Sequence, residues 1–261
     1  MYRAKPDDGI VFVTGASSGI GRATALELAC RGYRVAVTAR RADALDSLVA
    51  LRPERIFAFP GDVTDGDTMR ALIPRIEREI GPIALAFLNA GASYAMAERR
   101  GFDAAIIAKT YSVNVDGTVN CLEPLIAAML TRGQGQIAIN ASLAGYNGLP
   151  GSFAYGSSKA ALIHMSESLQ LTYGHRGLRF QVLCHGFVQS EMTATEKDYN
   201  MPFMIAPEEA AQIICKGFER GGFEIAFPWP LVAISKAMRM LPYAARLPLI
   251  ALATRQARRK T

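Results

Sequence analysis

The sequence predicts a doubly wound α/β fold: a mostly parallel sheet of seven strands with helices on both faces, followed by a C-terminal helical extension. Three observations carry this. Short apolar, β-branched runs alternate with longer segments of helical period over the first 185 residues. The runs are apolar almost throughout, as strands buried on two faces require. The first run leads through a glycine-rich turn directly into the first helix. Strand candidates are Ile10–Thr14, Arg34–Ala39, Ile56–Phe59, Ala84–Leu88, Gln136–Asn140 and Arg179–Cys184, with Phe223–Phe227 as a seventh. Helix candidates are Gly21–Arg31, Ala42–Ala50, Thr68–Ile80, Phe102–Thr131 with a break, Phe153–Gly174 and Pro207–Arg220. Right-handed crossovers then put a helix over each strand pair. The expected division is one unit over residues 1–227 and an amphipathic basic extension over 228–261.

Composition narrows the function classes. Half of the 261 residues are hydrophobic and a fifth charged, enough apolar material for a substantial core and too much for a disordered chain. The four cysteines, Cys30, Cys121, Cys184 and Cys215, stand far apart without a CxxC pair. Neither a disulfide framework nor a metal site is expected, and a reducing cytoplasm is the default location. The N-terminal segment does not read as a secretion signal, and no apolar run is long enough to span a membrane.

The formal net charge of +6 is unevenly placed. Seven of the 29 basic residues lie beyond Glu224, the last acidic residue, and the remaining 22 face all 23 carboxylates. A nucleic-acid surface needs its cations spread over a recognition face, so no nucleic-acid partner is expected.

The most informative local feature is Thr14-Gly15-Ala16-Ser17-Ser18-Gly19-Ile20-Gly21. Glycines allow a tight turn and a close approach of backbone to a pyrophosphate, and the helix opening there presents N–H groups and a positive dipole end. Such a turn alone is weak evidence, but this one follows the first strand of a doubly wound pattern. Further along, Tyr155 and Lys159 form a YxxxK pair, four residues apart and therefore on one helical face.

Together these motifs resemble the short-chain dehydrogenase/reductase family, with its TGxxxGxG turn and YxxxK pair and its Rossmann-like fold. Ser142, in NASLAG and thirteen residues before Tyr155, matches the family's catalytic serine. Asn114, in SVNV, matches the helix asparagine of its tetrad, which holds a water in a proton relay. Asn89-Ala90-Gly91 stands where the family has NNAG, with Leu88 replacing the first Asn. Asp62-Val63 matches an adenine-contacting pair. After the sixth strand the usual Pro-Gly becomes His185-Gly186, while Val188 and Ser190 keep the positions near the nicotinamide.

These residue types suit carbonyl chemistry. A phenol titrates near pH ~10 and is a poor base at neutrality, but an ammonium one turn away stabilises the phenolate. Tyr155 then exchanges a proton with a substrate oxygen that Ser142 also holds, while Lys159 tunes Tyr155 and reaches the nicotinamide ribose. At the end of the second strand, VAVTARR, the acid that selects NAD is replaced by Ala39. Arg40 follows, with Arg41 behind it, so the expected cofactor is NADP(H), the 2′-phosphate being gripped by a guanidinium. His185 is read as a locally bonded loop residue and not as a second acid.

The expected activity is interconversion of a carbonyl and a secondary alcohol on a hydrophobic small molecule. Met192, Met201, Phe203 and Met204, in the loop from Ser190 to Ala206, are candidates for its cavity. A cofactor-binding sensor of the same fold is the alternative; the full set Asn114, Ser142, Tyr155 and Lys159 argues for the enzyme. In the extension, Leu231, Ile234, Met238 and Leu241 fall on one helical face, and Pro242 and Pro248 are expected to break the segment into two or three helices. A cap or subunit contact ranks first for it and an interfacial membrane anchor second. A homodimer built on the helices of Asn114 and Tyr155 is favoured.

Overall fold

The computed structural model describes residues 2–94, 101–194 and 201–258, with side chains except at Met192 and 255–258. Seven parallel strands form one sheet: β1 (Ile10–Thr14), β2 (Arg34–Thr38), β3 (Ile56–Ala58), β4 (Ile83–Leu88), β5 (Gly135–Asn140), β6 (Leu178–His185) and β7 (Glu224–Phe227). Their order is β3-β2-β1-β4-β5-β6-β7. The order reverses between β1 and β4, which opens a crevice at the carboxyl ends of these strands.

Alternation along the strands separates two cores. From β1, Ile10 and Phe12 enter one cluster with Met69, Ile73, Leu125 and Ile163. Val11 and Val13 enter the other with Leu28, Leu45, Ile214 and Phe218. The first cluster is covered by α3 (Gly66–Ile80), α5 (Gly117–Arg132) and α6 (Phe153–Tyr173). The second lies under α1 (Gly19–Cys30), α2 (Ala42–Val49) and α7 (Pro207–Arg220). Each of the strands β1, β4 and β5 is buried along its whole length, which is why their sequences are apolar almost throughout, the polar Gln136 and Asn140 of β5 being buried too.

The break expected within Phe102–Thr131 falls at a π-helical turn, Ser112–Asp116, between α4 (Ala104–Tyr111) and α5. The extension forms two helices, α8 (Trp229–Met240) and α9 (Tyr243–Arg258). Pro242 separates them, but Pro248 lies inside α9 without ending it, as Pro74 and Pro124 lie inside α3 and α5. A proline removes one helical hydrogen bond, and a sixteen-residue helix has enough others to continue. The expected apolar face of α8 is also divided: Leu231 and Met238 are half-buried, Ile234 and Leu241 exposed. In the loop after Ser190, Glu191–Ala194 forms one helical turn, and Ile205 bridges back to Val188. Residues 195–200 and the Met192 side chain lie outside the described set, whereas Phe203 and Met204 are exposed.

The carboxyl ends of β1, β4 and β5 are tied by side chains. Asn89, just past β4, donates through Nδ2 to the Thr14 carbonyl at 3.0 Å and accepts through Oδ1 from Asn140 Nδ2 at 2.9 Å. The Asn89 and Ala90 amides both donate to Thr14 Oγ1, at 2.9 and 3.0 Å. Asn89→Ala is expected to lower stability by about 2 kcal/mol, since it strands partners on two neighbouring strands. Urea unfolding would show this as a reduced midpoint at unchanged slope.

Candidate active site

The glycine turn is shaped by what cannot fit beside it. A Cβ on Gly21 would lie 2.4 Å from the Gly15 carbonyl oxygen and 2.5 Å from Asn89 Nδ2. Gly15 has φ +65, and a Cβ there would meet Ala90 Cα at 2.8 Å. Both positions demand glycine, which brings the start of α1 against the end of β4. Ser18 occupies the N-cap of α1 in extended conformation without a side-chain cap bond. The amides of Gly19, Ile20 and Gly21 therefore begin a helix with its dipole directed at the crevice. Gly19 faces the segment after β6, where Ser190 Cβ lies 3.5 Å from a Cβ placed on it. Ser190 in turn bonds Thr193, whose hydroxyl donates to the Val188 carbonyl at 3.2 Å.

At the end of β2, Ala39 is buried and Arg40 exposed. Arg41 reaches the glycine turn: Nη2 donates to Ser17 Oγ at 3.3 Å and pairs with Glu191 at 3.4 Å. After β3, Asp62 accepts from the Thr64 amide and hydroxyl, at 3.0 and 2.9 Å. Val63 lies against Gly117, and its carbonyl accepts from Asn120 Nδ2 at 2.9 Å.

The candidate catalytic groups come from three elements. Lys159, on α6, is 2 % exposed, and its Nζ donates to the Asn140 carbonyl at 2.7 Å. The same Nζ lies 5.7 Å from the centroid of the Tyr155 ring. Burial lowers the Lys159 pKa to about 8, which leaves the ammonium mostly charged at neutral pH. Ser142, two residues past the end of β5, is buried; its hydroxyl accepts from the Ala144 amide at 3.2 Å and donates to the His185 carbonyl at 3.4 Å. Asn114, fully buried in the π-helical turn, accepts from the Ala92 amide at 2.7 Å. It donates to the Ala92 carbonyl and to Ser158 Oγ, at 3.0 and 2.9 Å. A Cβ on Gly91 would lie 3.3 Å from both Asn114 Oδ1 and Lys159 Nζ, so the strand β4 loop, Asn114 and Lys159 close on one space.

His185 titrates far from neutrality. Desolvation lowers its pKa to about 4, and its Nδ1 lies 2.7 Å from the Gly186 carbonyl, so the neutral ring donates there.

Sequence reasoning singled out Asn114, Ser142, Tyr155 and Lys159 but not the residues that position them. Asn140 holds Lys159 through its carbonyl and Asn89 through its side chain, and Ser158 holds Asn114. A polar residue closing a strand that is otherwise apolar apart from Gln136 was the available signal for Asn140. Arg41, rather than Arg40, is the guanidinium that touches the turn.

Comparison with known proteins places this geometry in a family. The short chain dehydrogenase family model matches residues 9–200. A protein of Myxococcus xanthus (strain DK1622), described as an uncharacterized oxidoreductase, is 36% identical over 237 residues, covering 88% of this chain and 92% of its own. The 3-oxoacyl-[acyl-carrier-protein] reductase FabG of Staphylococcus aureus (strain Mu50 / ATCC 700699) is 31% identical over 196 residues, 72% of this chain and 77% of its own. A crystal structure of a short-chain dehydrogenase from Streptomyces avermitilis superposes with a TM-score of 0.76 at 26% identity, covering 88% of this chain and 91% of that one. The chain belongs to the short-chain dehydrogenase/reductase family of oxidoreductases, whose members bind a nicotinamide cofactor, NAD or NADP.

A buried ammonium without a carboxylate partner among the described residues burdens the fold. The folded-state pKa of Lys159, about 8, lies below its unfolded value of 10.5. Between these values the unfolded chain binds more protons, so stability rises with pH, and the cost is complete below pH 8. Lys159→Met is expected to raise Tm at pH 7, by about 2–4 °C for each kcal/mol recovered, while lowering kcat by about 10²-fold or more. The Tm advantage should shrink as pH rises from 8 to 10.5, which thermal melts of the cofactor-free protein across that range would check.

Proposed function

We propose that the protein is an NADP(H)-dependent oxidoreductase that interconverts a carbonyl and a secondary alcohol on a hydrophobic small molecule, with Tyr155 as acid/base. The observation that carries this reading is the buried Lys159 ammonium beside the Tyr155 ring, tied to the strand end that leads into Ser142. The glycine cradle, which any Cβ at Gly15 or Gly21 would fill, fits a dinucleotide pyrophosphate. Gly15, Ser17, Ser18, Gly19, Ile20 and Gly21 would hold that pyrophosphate, and Asp62 and Val63 the adenine. Asn89, Ala90 and Gly91 would line the cofactor's path, with Val188 and Ser190 near the nicotinamide and Lys159 at its ribose. When bound, the nicotinamide supplies or accepts the hydride.

The chain's own residues do the rest. Ser142 exchanges its long bond to the His185 carbonyl for one to the substrate oxygen, holding charge as it develops there. Tyr155 gives that oxygen a proton in reduction and takes it in oxidation, and the Lys159 charge favours the phenolate. Asn114 is a positioning residue, because its amide is engaged by Ala92 and Ser158. Ala39 in place of an acid, with Arg40 and Arg41 following and Arg41 on the glycine turn, supports NADP(H). The name of the Staphylococcus aureus relative, a 3-oxoacyl reductase, supports a carbonyl substrate on an acyl-like, apolar molecule. Unpaired thiols at Cys30, Cys121, Cys184 and Cys215 support a cytoplasmic location. Exposed Val119 and Leu171, on the helices adjoining Asn114 and carrying Tyr155, support a homodimer through that face. Residues 1–227 form the catalytic unit in this reading and 228–261 its extension.

Tyr155→Phe should abolish most turnover of carbonyl substrates with NADPH while leaving the dissociation constant for NADPH nearly unchanged; retained turnover rules the acid/base role out. Arg40→Ala and Arg41→Ala separately test the 2′-phosphate. Either guanidinium, if it grips the phosphate, is worth about 2 kcal/mol, roughly 30-fold in Kd, for NADPH and little for NADH. Equal losses for both cofactors, measured by titration calorimetry, count against NADP(H) selection.

A further inference from the structure

We propose that the exposed face of α8 and α9 is a docking surface for an anionic lipid bilayer. Leu231 and Val232 turn α8 onto the core, and the side left in solvent is apolar apart from Lys236, which is paired with Glu224, and Arg239. Trp229 is 77 % exposed and Met240 86 %, with Ala233 and Ala237 exposed between them. At the helical repeat these four positions lie within about 80° of one another, an apolar stripe with the paired Lys236 at its edge. On the following helix Tyr243 and Leu247 on one side, and Leu249 and Leu252 on another, are exposed as well. From 243 to 254 Arg246 is the one charged residue, its guanidinium 4.3 Å above the Tyr243 ring.

Charge identifies the occupant. Lys236 is paired with Glu224, and no acidic residue follows Glu224 in the sequence. Arg239 and Arg246 therefore share the segment with Arg255, Arg258, Arg259 and Lys260, and no carboxylate answers them from within it. A second copy seated isologously would bring these cations onto themselves. An anionic bilayer offers hydrocarbon to the leucines, a polar boundary to Trp229 and Tyr243, and phosphates to the guanidinium groups. Among the described residues no helix is long and apolar enough to cross a membrane, so both helices lie along the interface. The proposal is independent of cofactor choice and of turnover.

The test mixes the full chain with vesicles of phosphatidylcholine, alone or with phosphatidylglycerol. Trp229 is the sole tryptophan, so its emission reports this surface directly. Emission should move to shorter wavelength, and the chain should co-sediment at least about tenfold more strongly, with the phosphatidylglycerol vesicles. Met240→Glu combined with Leu247→Glu, both at exposed positions, should cut that binding at least about tenfold without changing the mass in solution or the turnover. No emission shift with the unmodified chain overturns the proposal, whether or not the variant folds. So does equal binding to both vesicle types. A mass that halves in the variant, with the unmodified chain indifferent to vesicles, overturns it in favour of a second copy.

Discussion

Everything at the active end of the molecule depends on how the carboxyl termini of β1, β4 and β5 are joined. Parallel strands end with backbone groups that no further ladder satisfies, and at a switch point the flanking helices diverge, so neither neighbour covers them. Asn89 fills this role with one amide: its Nδ2 serves the Thr14 and Gly15 carbonyls, at 3.0 and 3.3 Å, and its Oδ1 receives Asn140. Because Asn140 is thereby fixed, its carbonyl is fixed as well, and that carbonyl holds Lys159. The glycine turn and the lysine are thus referenced to the same three strand ends. A compact amide can do this without a bulky side chain that would occupy the crevice.

The same network explains how a fold tolerates an ammonium it would be more stable without. Lys159 has a carbonyl for a partner and the Tyr155 ring nearby, neither carrying a full negative charge. A hydrophobic residue of similar volume would suit the site better energetically, so packing does not explain the cost, and the proposed role beside Tyr155 does. His185 shows the opposite economy. It is also desolvated, but its pKa of about 4 keeps the ring neutral, and its backbone carbonyl, not its imidazole, contacts the serine. Two ionisable groups close to one another are therefore separated in charge state at neutral pH.

What the sequence revealed divides along physical lines. The strands and the glycine turn were legible because local rules dictate them: two-sided burial leaves no polar face, and Gly15 and Gly21 stand where a Cβ would strike backbone. The spacing of Tyr155 and Lys159 was legible for the same reason, as one helical turn. Asn140 and Ser158 were not, because their partners come from elements joined only by sheet register and helix docking, as Asn89 meets Asn140 across 51 residues. The extension was legible in outline alone. Its α8 carries apolar residues around most of its circumference, so periodicity marked Leu231, Ile234, Met238 and Leu241 as one face. Docking instead half-buried Leu231 and Met238 together with Val232 and left Ile234, Trp229 and Met240 outward. Which side of such a helix faces the core is decided by what it meets, and a sequence window does not contain that surface.

What α8 meets is the loop that carries the serine's acceptor. A Cβ on Gly186 would lie 2.9 Å from Pro228 Cδ and 3.0 Å from Leu231 Cδ1, so a glycine is needed for the helix to approach. Gly186 follows His185, whose carbonyl receives the Ser142 hydroxyl. Asn147, shortly after Ser142, donates to the Ser235 carbonyl at 2.9 Å. The extension thus grips both segments that flank the serine, one by packing and one by a hydrogen bond. Stripping the extension would remove Leu231 and Val232 and uncover the part of the core they pack against. The segment that carries the chain's excess positive charge is therefore also part of the wall that holds Ser142 in place.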